Sequence, residues 1–133
     1  IFTFTIPDGE AGKSSATLIQ VWNWLGAAGF TRNDLIVAIG GGATTDFGGY
    51  AAASWLRGLD WVAIPTTVAG MVDAAIGGKT AINSDYGKNL IGAFYSPSAV
   101  YVDLDFLKTL PKNIFKAHSV HFFCKMLIIK VNL

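Results

Sequence analysis

With 133 residues, 52% of them hydrophobic and 14% charged, one cysteine and a net charge of +1, the chain is one domain's worth of sequence, able to bury roughly two-thirds of its unfolded surface. The near-neutral charge argues against a nucleic-acid partner. The single Cys124 excludes an internal disulfide and fits a reducing cytoplasm, and no apolar run approaches the ~20 residues of a membrane span. A mean hydropathy of +0.45 is high for a solitary domain and points to surface meant for another domain or subunit.

In chain order, Phe2, Phe4 and Ile6 alternate with Thr3 and Thr5 as in a half-buried strand, without the basic start of a signal peptide, and Pro7-Asp8-Gly9 supplies a turn. From Ser14, a good N-cap, Leu18, Ile19, Trp22 and Leu25 recur at helical spacing until Gly29. Leu35 to Ile39 is an unbroken apolar run, expected to be a parallel strand covered on both faces and to close a βαβ unit with the first strand. Gly40-Gly41-Gly42 follows, and a helix of small residues opens with Ala43, Thr44, Thr45 and Asp46 and closes near Gly58. That glycine run reads either as a tight strand-to-helix turn or as a phosphate cradle, and Asp46 either as part of it or as a first-turn acid facing the helix dipole. Trp61 to Ile64 is the next buried strand, ended by Pro65.

Ile64 to Gly92 is the chemically dense stretch: Thr66, Thr67, Asp73, Lys79, Thr80, Lys88 and Asn89 would all need partners if buried. Thr66 and Thr67 stand at the carboxyl end of a strand, where open α/β sheets bind ligands. Val68, Met71, Val72 and Ala75 have helical spacing, and Gly77-Gly78 turns the chain into Lys79, either an anion-binding or a solvated turn lysine. Thr80 to Asn83 and Ala99 to Asp103 read as strands and Asp105 to Leu110 as a short helical turn.

Six segments in register from Pro7 to Pro111 resemble 3-dehydroquinate synthase: DGEAGK (Asp8 to Lys13), GGGATTD (Gly40 to Asp46), PTT (Pro65 to Thr67), MVDAAIGGKT (Met71 to Thr80), GKN (Gly87 to Asn89) and DLDFLKTLP (Asp103 to Pro111). The resemblance implies a Rossmann-like α/β domain that binds NAD, with a helical C-terminal domain supplying most of a zinc or cobalt site. Carried over position by position, it places Asp8, Gly9, Glu10 and Lys13 near the adenosine side of NAD. Gly41, Gly42, Ala43, Thr44, Thr45 and Asp46 would surround the pyrophosphate. Thr66 and Thr67 would meet the phosphate and ribose region, and Phe106, Leu107, Lys108 and Thr109 would close over the nucleotide. Asp73, Lys79, Lys88 and Asn89 would face a seven-carbon sugar acid phosphate, the two lysines also touching the cofactor. Arg57 would reach the site of a neighbouring subunit in a homodimer. The implied activity is an NAD-assisted, metal-dependent phosphate elimination and cyclisation in the shikimate pathway of aromatic amino acid biosynthesis.

Pro111 marks a change. The first 111 residues hold six cations and all nine acids, net −3, whereas Lys112, Lys116, Lys125 and Lys130 give the remainder +4. The expected division is thus 1–111, part of an NAD-binding domain, and 112–133, a divergent tail, read as out of frame or truncated, or as a basic amphipathic segment docking on a partner or membrane surface. His121 falls where the family has its first zinc-binding glutamate, and His118 lies three residues before it. Two imidazoles without further ligands make a poor zinc site, so no metal is expected here and the chain alone should be inactive. Other readings are a related sugar-phosphate cyclase, a polyol dehydrogenase of the same fold, and a non-catalytic NAD-binding or dimerisation module.

Overall fold

The computed structural model describes residues 1–109 and 125–129, the backbone alone for 109 and 125–129. His118, His121 and Cys124 lie outside the described residues. The fold is α/β. Strand β1 (Phe2–Thr5) leads through a 3₁₀ turn (Gly9–Gly12) into helix α1 (Ser15–Ala27). Strand β2 (Leu35–Gly40), helix α2 (Gly42–Ser54) and strand β3 (Trp61–Pro65) follow. A π-helical turn (Gly70–Ala74) precedes strands β4 (Lys79–Ser84) and β5 (Gly87–Phe94). Next come β6 (Ala99–Val100), a 3₁₀ segment (Leu104–Thr109) and β7 (Lys125–Ile129).

Local chemistry sets these boundaries. Ser14 caps α1, its Oγ accepting from the Thr17 amide at 3.1 Å, and Gly29 ends the helix region at φ 67°. Leu18, Val21 and Leu25 bury the face that meets the sheet. The aromatic rings of Phe2, Phe4, Trp24 and Phe30 pack with centroids 5.4 to 6.2 Å apart and fasten β1 to α1. Helix α2 carries its small residues toward the sheet and hairpin. A Cβ built on Gly49 would lie 2.4 Å from Thr80 Cγ2 and 2.7 Å from the Trp61 ring, which is why this helix is written in glycine and alanine.

The main sheet has the order β1-β7-β2-β3-β6. Strands β2, β3 and β6 are parallel, with Gly40 opposite Pro65, whereas β7 runs antiparallel to both β1 and β2. Two expectations change here. The first strand and Leu35–Ile39 are not neighbours, because a strand from beyond Pro111 lies between them. Nor is β3 the fully buried strand expected: Trp61, Ala63 and Pro65 are buried but Val62 and Ile64 remain half-buried, whereas β2 buries Ile36, Val37 and Ala38 in succession and so both of its faces. Strands β4 and β5 form a separate antiparallel hairpin that packs on α2. The segment at Gly87, read only as a motif, is the start of its eight-residue second strand.

Candidate cofactor and substrate site

The carboxyl ends of β2 and β3 meet the start of α2. Gly40 sits at φ 159°, and a Cβ there would lie 2.5 Å from Thr44 Oγ1, so this glycine serves the tight turn. Gly41 and Gly42 lie against Thr67 and Ala74, where added Cβ atoms would come within 3.2 and 3.1 Å. Gly41 is the N-cap and brings no side chain to cap the helix; the Thr44 and Thr45 amides donate to its carbonyl, leaving those of Gly42 and Ala43 to an anion. The Thr66 amide donates to the Gly40 carbonyl at 2.8 Å and locks the two strand ends together. Thr67 Oγ1 accepts from the Gly70 amide at 3.1 Å. Thr66 Oγ1, in a residue only 6% exposed, has no hydrogen-bond partner among the described residues. A hydroxyl so placed costs free energy until something bonds to it.

Beside this corner a cleft of about 460 Å³ is lined by Asp46, Asp73, Lys79, Thr80, Asn89, Leu90 and Phe94, among others. Four predicted site residues, Asp46, Asp73, Lys79 and Asn89, therefore share one concavity although the hairpin and α2 are distant in sequence. Lys13 holds the back of it. Its side chain is 1% exposed, and Nζ donates to Asp46 Oδ2 at 2.7 Å and to Asn89 Oδ1. Burial raises the Asp46 carboxyl above its ordinary 3.8, outweighing the hydrogen bond and charge of Lys13, which lower it; Glu10 and Asp73 add to the rise. A second concavity is lined by Glu10, Lys13, Asn83, Tyr86 and Ile91 among others, and Lys13 there bonds to Asn89 of the first.

The remaining predicted residues are placed elsewhere. Asp8 stands at the N-cap position of the 3₁₀ turn that contains Glu10, without a side-chain capping bond, and Gly9 follows at φ 60°. Thr45 is buried and its hydroxyl donates to the Gly42 carbonyl at 3.0 Å, while Ala43 and Thr44 lie in the first turn of α2. Lys88 is exposed and does not line the cleft. Arg57, exposed at φ 69°, follows the far end of α2, roughly 20 Å from the glycine turn by helix rise. Phe106 and Leu107 are half-buried, Lys108 pairs with Asp105 at 2.6 Å in solvent, and none of these three lines the cleft; Thr109 is the last residue of the 3₁₀ segment. One residue that sequence reasoning passed over, Asn83, bonds to both Glu10 and Asn89. Its only signal was a polar side chain ending an apolar strand.

Residues 3–117 match the family model described as 3-dehydroquinate synthase N-terminal. The chain belongs to the 3-dehydroquinate synthase family. A 3-dehydroquinate synthase of Thermobifida fusca is 54% identical over 113 residues, 85% of this chain and 31% of that protein. One from Corynebacterium efficiens is 57% identical over 106 residues, 80% of this chain and 29% of that protein. The chain thus spans about three-tenths of the length of these 3-dehydroquinate synthases. Among solved structures, the 2-epi-5-epi-valiolone synthase ValA of Streptomyces hygroscopicus, with NAD+ and Zn2+ bound, superposes with a TM-score of 0.75 at 39% identity over 79% of this chain and 29% of that one. A 2-deoxy-scyllo-inosose synthase complexed with carbaglucose-6-phosphate, NAD+ and Co2+ gives 0.70 at 36% identity, covering 74% of this chain and 27% of that one. The 3-dehydroquinate synthase family member described here shares its α/β fold with these cyclases over the superposed part.

Proposed function

We propose that this chain is the cofactor-holding part of a 3-dehydroquinate synthase, the enzyme that converts 3-deoxy-D-arabino-heptulosonate 7-phosphate to 3-dehydroquinate with loss of phosphate, in the cytoplasmic shikimate pathway. The observation that carries the reading is the buried Thr66 hydroxyl at the carboxyl edge of β3, unpartnered among the described residues, beside a helix start whose N-cap glycine has no capping side chain. That corner fits NAD, which carries two phosphates and several ribose hydroxyls. When bound, NAD supplies a hydride acceptor that later returns the hydride.

This chain's own residues divide between holding the cofactor and holding the substrate. Gly41, Gly42 and Ala43 offer backbone amides to the pyrophosphate, Thr44, Thr45 and Asp46 complete the turn that surrounds it, and Thr66 and Thr67 offer their hydroxyls beside it. Asp8, Gly9, Glu10 and Lys13 bound the adenosine side, with Phe106 to Thr109 over the nucleotide. Lys79 and Lys88 hold the carboxylate and phosphate of the substrate by charge, while Asp73 and Asn89 orient its hydroxyls. Among the described residues no group of three or more His, Cys, Asp or Glu could hold a metal ion, so no step is assigned here to zinc or cobalt. Arg57, at the far end of α2, serves the partner's site in a homodimer. The 133 residues by themselves are not expected to turn over substrate, because they span about three-tenths of the relatives' length.

A second reading, another sugar-phosphate cyclase, is favoured by the fold match to valiolone and inosose synthases, but identity is 36 to 39% there against 54 and 57% for the two dehydroquinate synthases. Calorimetry with NAD tests the proposal. Wild type should bind, and Thr66→Val should weaken binding by roughly five- to tenfold, the worth of one hydrogen bond. It should leave stability unchanged or improved, since the substitution removes an unsatisfied hydroxyl. Absence of NAD binding by the wild type, or unimpaired binding by the variant, would overturn it.

A further inference from the structure

The β4–β5 hairpin is not a regular ladder. Ile82 pairs with Ile91, but the next pairing is Ser84 with Gly87, so one residue of β4, Asn83, faces three of β5: Lys88, Asn89 and Leu90. The surplus is taken up by a bulge in which Asn89 has φ 57°, a conformation asparagine tolerates better than most residues. The Asn83 carboxamide ties that bulge to the Gly9–Gly12 turn. Its Oδ1 accepts from the Asn89 amide at 2.9 Å, and its Nδ2 donates to Glu10 Oε2 at 2.8 Å. The Asn83 backbone amide also donates to the Lys13 carbonyl at 2.7 Å.

We propose that Asn83 is a positioning residue: it fixes the bulge that aims Lys88 and Asn89 and locks it to the Glu10–Lys13 turn, so that the cofactor side and the substrate side of the site are held in one register. The inference rests on the functional reading above. The chemistry selects a carboxamide, since this position must accept from one neighbour and donate to a carboxylate at the same time. An aspartate keeps the first bond only, and an alanine keeps neither. Without the acceptor, the two surplus residues are free to redistribute, and a slip of one residue exchanges the faces on which Lys88 and Asn89 project.

The test compares wild type with Asn83→Ala and Asn83→Asp in the 133-residue chain, reading amide hydrogen exchange at Asn89 by NMR and NAD affinity by calorimetry. Asn83→Ala should speed exchange at Asn89 about tenfold or more while α1, α2 and β2 keep theirs, and should weaken NAD about tenfold. Asn83→Asp should restore protection at Asn89 but not the full affinity, because the link to Glu10 is replaced by like charges. Unchanged Asn89 exchange in Asn83→Ala overturns the inference, as does lost protection with undiminished NAD affinity. If Asn83→Ala fails to fold, a folded Asn83→Asp that has lost Asn89 protection overturns it equally. A wild type that binds no NAD sinks the functional reading instead, and the exchange comparison still decides whether Asn83 fixes the bulge.

Discussion

Lys13 and Asp46 show how charge is handled behind the cleft. An ammonium 1% exposed would be costly alone, and it is tolerated because a carboxylate and the Asn89 carboxamide oxygen both accept from it. Asp46 bears the strain of the arrangement, its carboxyl held above 3.8 by burial. Between that value and its raised one, the folded chain binds more protons at Asp46 than the unfolded chain does, so this group's contribution to stability is present at the acid end and is lost as pH rises through the window. A carboxyl-carbon NMR titration should therefore place the Asp46 midpoint above 3.8. Urea denaturation should show wild type losing ground to Asp46→Asn as pH increases across the same range, and a midpoint below the ordinary value would refute the assignment. The DGEAGK and GGGATTD motifs marked both residues in the sequence. What the sequence left hidden was their meeting with Asn89, 76 residues from Lys13, since only the packing of hairpin on α2 creates it.

Helix α2 was legible from its edges, a glycine turn before and Gly58 after, but its interior is unlike an ordinary amphipathic helix. It is built of small residues because β3 and β4 approach it closely, and Gly49 is the tightest point. Gly49→Ala would gain helix propensity in an isolated peptide. Here it should instead destabilise the chain by about 1–3 kcal/mol through overpacking against Thr80 and Trp61, measured as a lower urea midpoint. A midpoint equal to or above wild type would show that β4 can move aside. The hairpin itself was only half readable. Thr80–Asn83 has strand patterning, whereas GKNLIGAF in β5 is exposed along most of its length, so no alternation of buried and solvent positions announced it. The π-helical turn at Gly70–Ala74 was likewise read only as helical spacing, since nothing in the pattern distinguishes a widened turn from an α-helical one.

At the scale of the whole molecule, part of the high hydropathy lies at the surface. Val72 and Ile76, 70 and 63% exposed, stand on either side of Asp73 in sequence, and Leu90 and Phe94, 63 and 86% exposed, line the cleft. Leu90 and Phe94 thus bring exposed apolar surface to the candidate site, while Ile1, Tyr101 and Leu104 are exposed outside its lining. The parallel β2–β3 core followed from two unbroken apolar runs. The place of β7 did not follow, because Lys125–Ile129 sits in a tail whose composition breaks with everything before it, and sheet order is set by long-range pairing rather than local pattern. Leu127→Pro, which removes a ladder donor from a strand paired on both sides, should cost about 3 kcal/mol or more. It should raise hydrogen exchange throughout β1, while β3 changes least. Equal protection of β1 in the variant would mean that the aromatic packing on α1 suffices to hold it.

The antiparallel insertion of β7 also bears on how the chain is made. Thr5 pairs with Lys125, so β1 waits for a partner made about 120 residues after it. At about 5–20 residues per second, that interval lasts several seconds or more. During it, α1, β2, α2 and β3 can assemble on one another while β1 and the open edge of β2 have unpaired backbone groups. Such an interval is when a nascent chain is most exposed to pairing with the wrong strand, and a trigger-type chaperone or a neighbouring nascent copy would meet it with those two edges foremost.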